Sequence, residues 1–118
     1  MASSRAFLFA KYFRTLRQIT RTFDVANSAG TIDSFDEDTY RAARYVITAY
    51  KGTDTQTTEI LLQHNGNGTV DLTEYGTLMS GDAMATYTAD RNGSTIRLRG
   101  TPSNAATIFK FKAEYVEA

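Results

Sequence analysis

Residues 58–81 read TEILLQHNGNGTVDLTEYGTLMSG, and this stretch decides the fold. Two runs rich in leucine, threonine and β-branched residues flank Asn65-Gly66-Asn67-Gly68. Asparagine and glycine accept positive φ, so the quartet turns the chain and makes residues 58–75 a β-hairpin. The only histidine, His64, stands at the last residue of the first strand, and Asp71 and Glu74 follow on the second. A metal would need further ligands, and the chain has no second histidine and no cysteine. A general base would need a nucleophile and an orienting group, and no serine motif supplies them. Asp71 and Glu74 are three apart, which places them on opposite faces of a strand and not in a paired acid/base site. His64 is therefore read as a solvated or hydrogen-bonded side chain beside a turn.

The same pattern spreads outward from the hairpin. RAARYVITAYKG (residues 41–52) is a strand ended by Gly52. AMATYTADRNGS (83–94) is a strand ended by Asn92-Gly93. In STIRLRGTP (94–102), Ile96 and Leu98 point inward and Arg97 and Arg99 outward. In the last strand, Phe109, Phe111, Ala113 and Tyr115 share one face, with Lys110, Lys112 and Glu114 on the other. Ile19, Phe23 and Val25 alternate with threonine and aspartate and predict one more strand, followed by a turn over Asn27–Thr31. The expected core is Tyr45, Ile47, Ile60, Leu62, Leu72, Ile96, Leu98, Phe109 and Phe111. The single proline, Pro102, falls between strands, where its missing N–H breaks no ladder. Short strands separated by turn signals predict an all-β fold, a small antiparallel β-sandwich of jelly-roll-like type. The acidic run Asp33–Tyr40 reads as a surface loop. Asp33, Asp36, Glu37 and Asp38 offer oxygens to a hard cation but lack the glycine and spacing of a calcium loop.

At 118 residues the chain is one domain with one modest core. Without cysteine it has no disulfide, thiol or cysteine–zinc chemistry. No apolar run approaches the roughly 20 residues that span a bilayer, and the start lacks the pattern of a signal peptide. Formal net charge is zero but unevenly spread: residues 1–23 carry Arg5, Lys11, Arg14, Arg17 and Arg21 and no acid. Residues 3–16 show apolar side chains at three- and four-residue spacing and predict a helical arm, with Ser3 or Ser4 as its cap. The expected domains are thus an arm over 1–16 and a sandwich over 17–118. Phe7, Phe9, Lys11, Tyr12, Phe13, Arg14, Leu16 and Arg17 are the candidate interface residues of the arm. Cations among aromatics can meet phosphates or a membrane surface. So many aromatics favour burial against another protein subunit. No phosphate loop, dinucleotide fingerprint or catalytic constellation appears, so no cofactor and no metal is expected.

The order of short motifs adds a resemblance. Asp33-Ser34-Phe35, Thr39-Tyr40-Arg41-Ala42-Ala43-Arg44-Tyr45, Glu59-Ile60-Leu61-Leu62, His64-Asn65-Gly66 and Thr73-Glu74-Tyr75-Gly76 come in turn. Ala85–Asp90, Ile96-Arg97-Leu98 and Thr101-Pro102 complete the series. Over residues 19–118 this resembles a structural domain of tailed-phage virions, cyanophages and other marine phages above all. It departs at Asn65–Thr69, where the family has a shorter turn, and in residues 1–16. The resemblance implies a non-enzymatic component of the virion, assembled in the host cytoplasm, with other virion proteins as partners. A homo-oligomer is expected, a trimer being one option, and neither nucleic acid nor a membrane is an expected partner. A short domain with an arm suits a capsid cement or decoration protein first. A tail, neck or fibre adaptor is the alternative, and a carbohydrate-binding host-attachment module a further one.

Overall fold

The structure, a computed structural model, describes residues 16–118, with side chains from Gln18 onward. Eight antiparallel strands follow one another: β1 (Leu16–Phe23), β2 (Gly30–Asp36), β3 (Tyr40–Lys51), β4 (Asp54–His64), β5 (Val70–Ser80), β6 (Ala85–Asn92), β7 (Thr95–Pro102) and β8 (Thr107–Glu117). They form a five-stranded sheet, β1-β8-β3-β4-β5, and a three-stranded sheet, β2-β7-β6. The all-β, antiparallel expectation is met. The roll is incomplete: β3, β4 and β5 run on as a meander within the larger sheet and do not alternate between layers.

The turns follow from the glycines and asparagines. β3 and β4 are joined by Gly52-Thr53, with Gly52 at φ 61°. β4 and β5 are joined through Asn65–Thr69, where Gly66 and Gly68 take φ 76° and 91°. The Asn65 side chain braces that loop by accepting from the Asn67 and Thr69 amides at 2.8 and 3.1 Å, as asparagine does in tight turns.

Alternation then sends every second residue inward. β3 supplies Ala43, Tyr45, Ile47 and Ala49, β4 supplies Ile60 and Leu62, and β8 supplies Phe109, Phe111, Ala113 and Tyr115. The smaller sheet adds Ile32, Phe35, Tyr87, Ile96 and Leu98. The predicted core is buried except Leu72, which packs against it half-buried. Gly100 lets the layers close: a Cβ there would stand 2.5 Å from the tip of Ile32.

Four expectations are corrected. Of the expected loop Asp33–Tyr40, only residues 37–39 form a turn: Asp33–Asp36 belong to strand β2 and Tyr40 opens β3. A bulge between Thr31 and Asp33 breaks the pairing of β2 with β7, so the neighbours Ile32 and Asp33 are both buried, with Phe35. A bulge of this kind puts an extra residue on one strand and disrupts simple alternation. Val25 lies beyond β1 and is exposed. Leu16 does not end a helix: its backbone opens β1, in register with Glu114, and Arg17 follows opposite Ala113. The helical reading of residues 3–15 lies outside the described residues. Pro102 is buried as the last residue of β7, and its carbonyl accepts the Asn27 amide at 2.8 Å.

Candidate functional site

Asp33 is the most unusual side chain of the inner face. It is 1% exposed, and its Oδ2 accepts hydroxyl bonds from Tyr45 at 2.9 Å and Tyr115 at 2.6 Å. Asp33 stands on β2 in one sheet, and the tyrosines on β3 and β8 in the other. The carboxyl thus ties the two layers together. An acid so enclosed, with two hydroxyls donating to it across the layers, has the arrangement of a buried polar group satisfied by its own fold.

The other three acids of this run also part company. The Asp36 side chain accepts the Asp38 amide at 2.7 Å. Glu37 forms a two-pronged ion pair with Arg91, at 2.7 and 2.9 Å. The hydrogen bond from Arg91 holds the Glu37 carboxyl below its ordinary range. The four oxygen donors considered for a hard cation therefore do not converge. No three His, Cys, Asp or Glu side chains gather into a metal-binding group among the described residues.

His64 is buried beside Phe35 and is fully used. The Gly66 amide donates to Nδ1 at 3.0 Å, so Nδ1 is the bare nitrogen. Nε2 therefore carries the proton and donates it to the Tyr40 carbonyl at 2.6 Å. The ring clamps the entry to the β4–β5 turn and to β3. Asp71 faces outward, where Gln63 donates to it at 3.2 Å, and Glu74 faces inward opposite Ile60. The two carboxyls lie on opposite faces, as their spacing predicts.

Sequence reasoning passed over Gln56. Its amide oxygen accepts the Met84 and Ala85 amides, and its Nε2 donates to the Ala85 carbonyl at 3.0 Å. It behaves as a piece of backbone that pins the start of β6 onto the larger sheet. The signal was a glutamine at an inward position of an alternating strand. Tyr87 is one exception to this satisfaction, Arg99 Nε being another: the Tyr87 hydroxyl is buried without a partner among the described residues. Burial pushes its phenol up, with the Glu74 charge adding to the effect.

The outer surfaces differ between the sheets. On the smaller sheet, Arg97 grips Asp90 at 2.7 and 2.6 Å, and Arg99 donates to the Ala29 carbonyl. The larger sheet bears two open depressions. One, about 430 Å³, lies over β1, β8 and β3 beside Gln18, Thr20, Thr48, Lys110 and Lys112. The other, about 310 Å³, lies over β4 and β5 beside Leu61, Gln63, Asp71 and Thr73. β5 itself is exposed over nearly its whole length, since the narrower sheet does not reach across it. Of the predicted arm residues, Phe7, Phe9, Lys11, Tyr12, Phe13 and Arg14 lie outside the described residues, and Leu16 and Arg17 belong to β1.

No family model matches this chain, and no curated protein matches it. Three solved phage tailspikes share its fold. The tailspike of Acinetobacter baumannii phage AM24 matches with a TM-score of 0.56 at 10% identity, over 88% of this chain and 26% of its own. The tailspike of Acinetobacter phage vB_ApiP_P1 matches with a TM-score of 0.58 at 13% identity, over 86% of this chain and 22% of its own. Tailspike gp49 of Acinetobacter baumannii bacteriophage Fri1, a capsular polysaccharide depolymerase, matches with a TM-score of 0.50 at 14% identity, over 86% and 17%. The chain thus spans about a quarter or less of each tailspike.

Proposed function

We propose that this chain is a non-enzymatic assembly module of a phage virion, placed on the tail side of the particle as a tail, neck or fibre component. The observation that carries this reading is a fold shared, over most of the chain, with part of three phage tailspikes. The side chains add support. The polar groups that sequence singles out, His64 and Asp33, are spent on holding strands together. The larger sheet meanwhile keeps an open outer face and an uncovered edge, as a module that meets other proteins requires. Tailspike likeness favours the tail alternative over the capsid-cement role that the resemblance put first.

The test is where the protein sits and in how many copies. Purified particles are split into heads and tails, and each fraction is quantified against the major capsid protein. The expected result is tens of copies or fewer, all with the tails. Hundreds of copies on heads would restore the cement reading, and absence from particles would overturn both.

A glycan-contacting role is the second reading. It is favoured by the polysaccharide depolymerase among the likenesses and by the open, largely apolar depression in which Gln63, Asp71 and Thr73 stand beside Leu61 and Leu72. Retention on immobilised host capsular polysaccharide, lost in Asp71→Ala, is its expected sign.

A further inference from the structure

From Gly52 to Asp90 the chain holds no lysine or arginine, but six acids: Asp54, Glu59, Asp71, Glu74, Asp82 and Asp90. The fold gathers this stretch on one flank, as β4, β5 and β6 with their turns. β5 is the outermost strand there, and no described strand pairs with its free side. Its second half offers apolar side chains to both faces. Leu78, 78% exposed, lies on the outer face opposite Thr57, and Met79, 57% exposed, on the inner face opposite Gln56. Natural edges are blunted by lysine, proline, cover or a bulge. This one has a bulge opposite Glu59 and Ile60 and neither lysine nor proline.

The sequence before β1 is its chemical complement. Residues 1–15 contain Arg5, Lys11 and Arg14, no acid, and Phe7, Phe9, Tyr12 and Phe13. We propose that residues 1–15 of one copy dock along β5 of a second copy. The apolar side chains meet Leu78 and Met79, and the cations face Asp71, Glu74 and Asp82, the acids of β5 and of the turn after it. Charge of opposite sign sets orientation, and the desolvated aromatics supply most of the affinity.

Reach favours the second copy over the same chain. Strand registers put Leu16 level with Thr73, and Thr20 level with Leu78. Leu78 is thus four strand spacings across from β1 and four residues along, a separation of about 23 Å. Phe13 and Tyr12 precede Leu16 by three and four residues, so they extend at most about 10 and 14 Å from it, and Phe9, seven residues before, spans about 24 Å only when fully extended. A neighbouring copy has no such limit.

The inference rests on the assembly reading above but is tested apart from it. The chain has no cysteine, so engineered pairs report without background. Full-length Phe9→Cys is mixed with differently tagged Met79→Cys under mild oxidation, with Phe9→Cys plus Thr88→Cys, on the other sheet, as control. The expected result is a disulfide between the two tagged copies, formed at least tenfold faster than the control pair. Adding Asp71→Lys and Glu74→Lys to the Met79→Cys chain should slow it at least tenfold, with the far-UV strand signal retained. Linkage no faster than the control overturns the inference. So does a single chain carrying both Phe9→Cys and Met79→Cys that links only to itself. Absence of linkage in a protein still found in purified tails would sink this inference alone. Linkage in a protein absent from particles would sink the assembly reading alone.

Discussion

Single residues on the inner face divide by whether their polar atoms find partners. Asp33 gathers two tyrosine hydroxyls across the layers. Asp33→Ala leaves both without that acceptor in a closed core and should cost roughly 3 kcal/mol or more in chemical denaturation. Tyr87 is the opposite case, because its hydroxyl has no partner to lose. Tyr87→Phe should leave the unfolding midpoint unchanged or raise it, and a clear drop would mean the hydroxyl is bonded after all. His64→Ala should lower stability by about 1–3 kcal/mol through the Tyr40 and Gly66 bonds it removes. The same variant should retain assembly into particles, since both ring nitrogens are engaged with backbone groups of the chain itself. Gly100→Ala should cost about 1–3 kcal/mol by overpacking, because its new methyl meets Ile32. Ile32→Val beside it should recover part of that loss.

At the scale of elements, the strands legible in sequence were those with clean alternation between turn signals. β8 is the clearest: Phe109, Phe111, Ala113 and Tyr115 face in, and Lys110, Lys112 and Glu114 face out. The β4–β5 hairpin was legible because Asn65–Gly68 states its turn outright. β2 was not, for two physical reasons. Its bulge sends Ile32 and Asp33 inward together, so no period of two survives. Its buried aspartate also looks like a solvated one until the tyrosines from β3 and β8 stand over it. Those partners are distant in sequence, and no local pattern announces them. Gln56 escaped for the same reason, since its partners Met84 and Ala85 lie 28 and 29 residues on. The exposure of β5 was equally hidden, because it depends on how far the second sheet extends.

For the whole molecule, pH acts through the ion pairs of the smaller sheet's side. Hydrogen bonds from Arg91 and Arg97 hold Glu37 and Asp90 below their ordinary carboxyl range. A depressed folded-state value means the pairs contribute fully above the unfolded-state value, about pH 4. That contribution is lost as pH falls through the lower, folded-state values. Melting temperature should therefore be level from neutral pH to about 5 and decline below about 4. Both pairs lie at the surface, with Glu37 and Asp90 only partly buried, so the effect should be small and should shrink further in high salt. In Arg91→Gln with Arg97→Gln the acid-side decline should be shallower than in the parent. An equally steep decline would assign it to other carboxyls.

The place of β8 between β1 and β3 also sets when the fold can exist. This strand is the last of the eight described strands to be synthesised, yet it occupies the interior of the larger sheet. Until it arrives, β1 has no ladder partner and one side of β3 stands open. A loop of about a hundred residues closes when Leu16 meets Glu114. Loop closure of that length comes before the contacts that reward it, so folding should be slow, in the millisecond-to-second range of all-β domains. Stopped-flow refolding should show one cooperative phase on that timescale. A chain cut before Thr107 should yield no stable remnant, because the open strands it leaves are templates for aggregation.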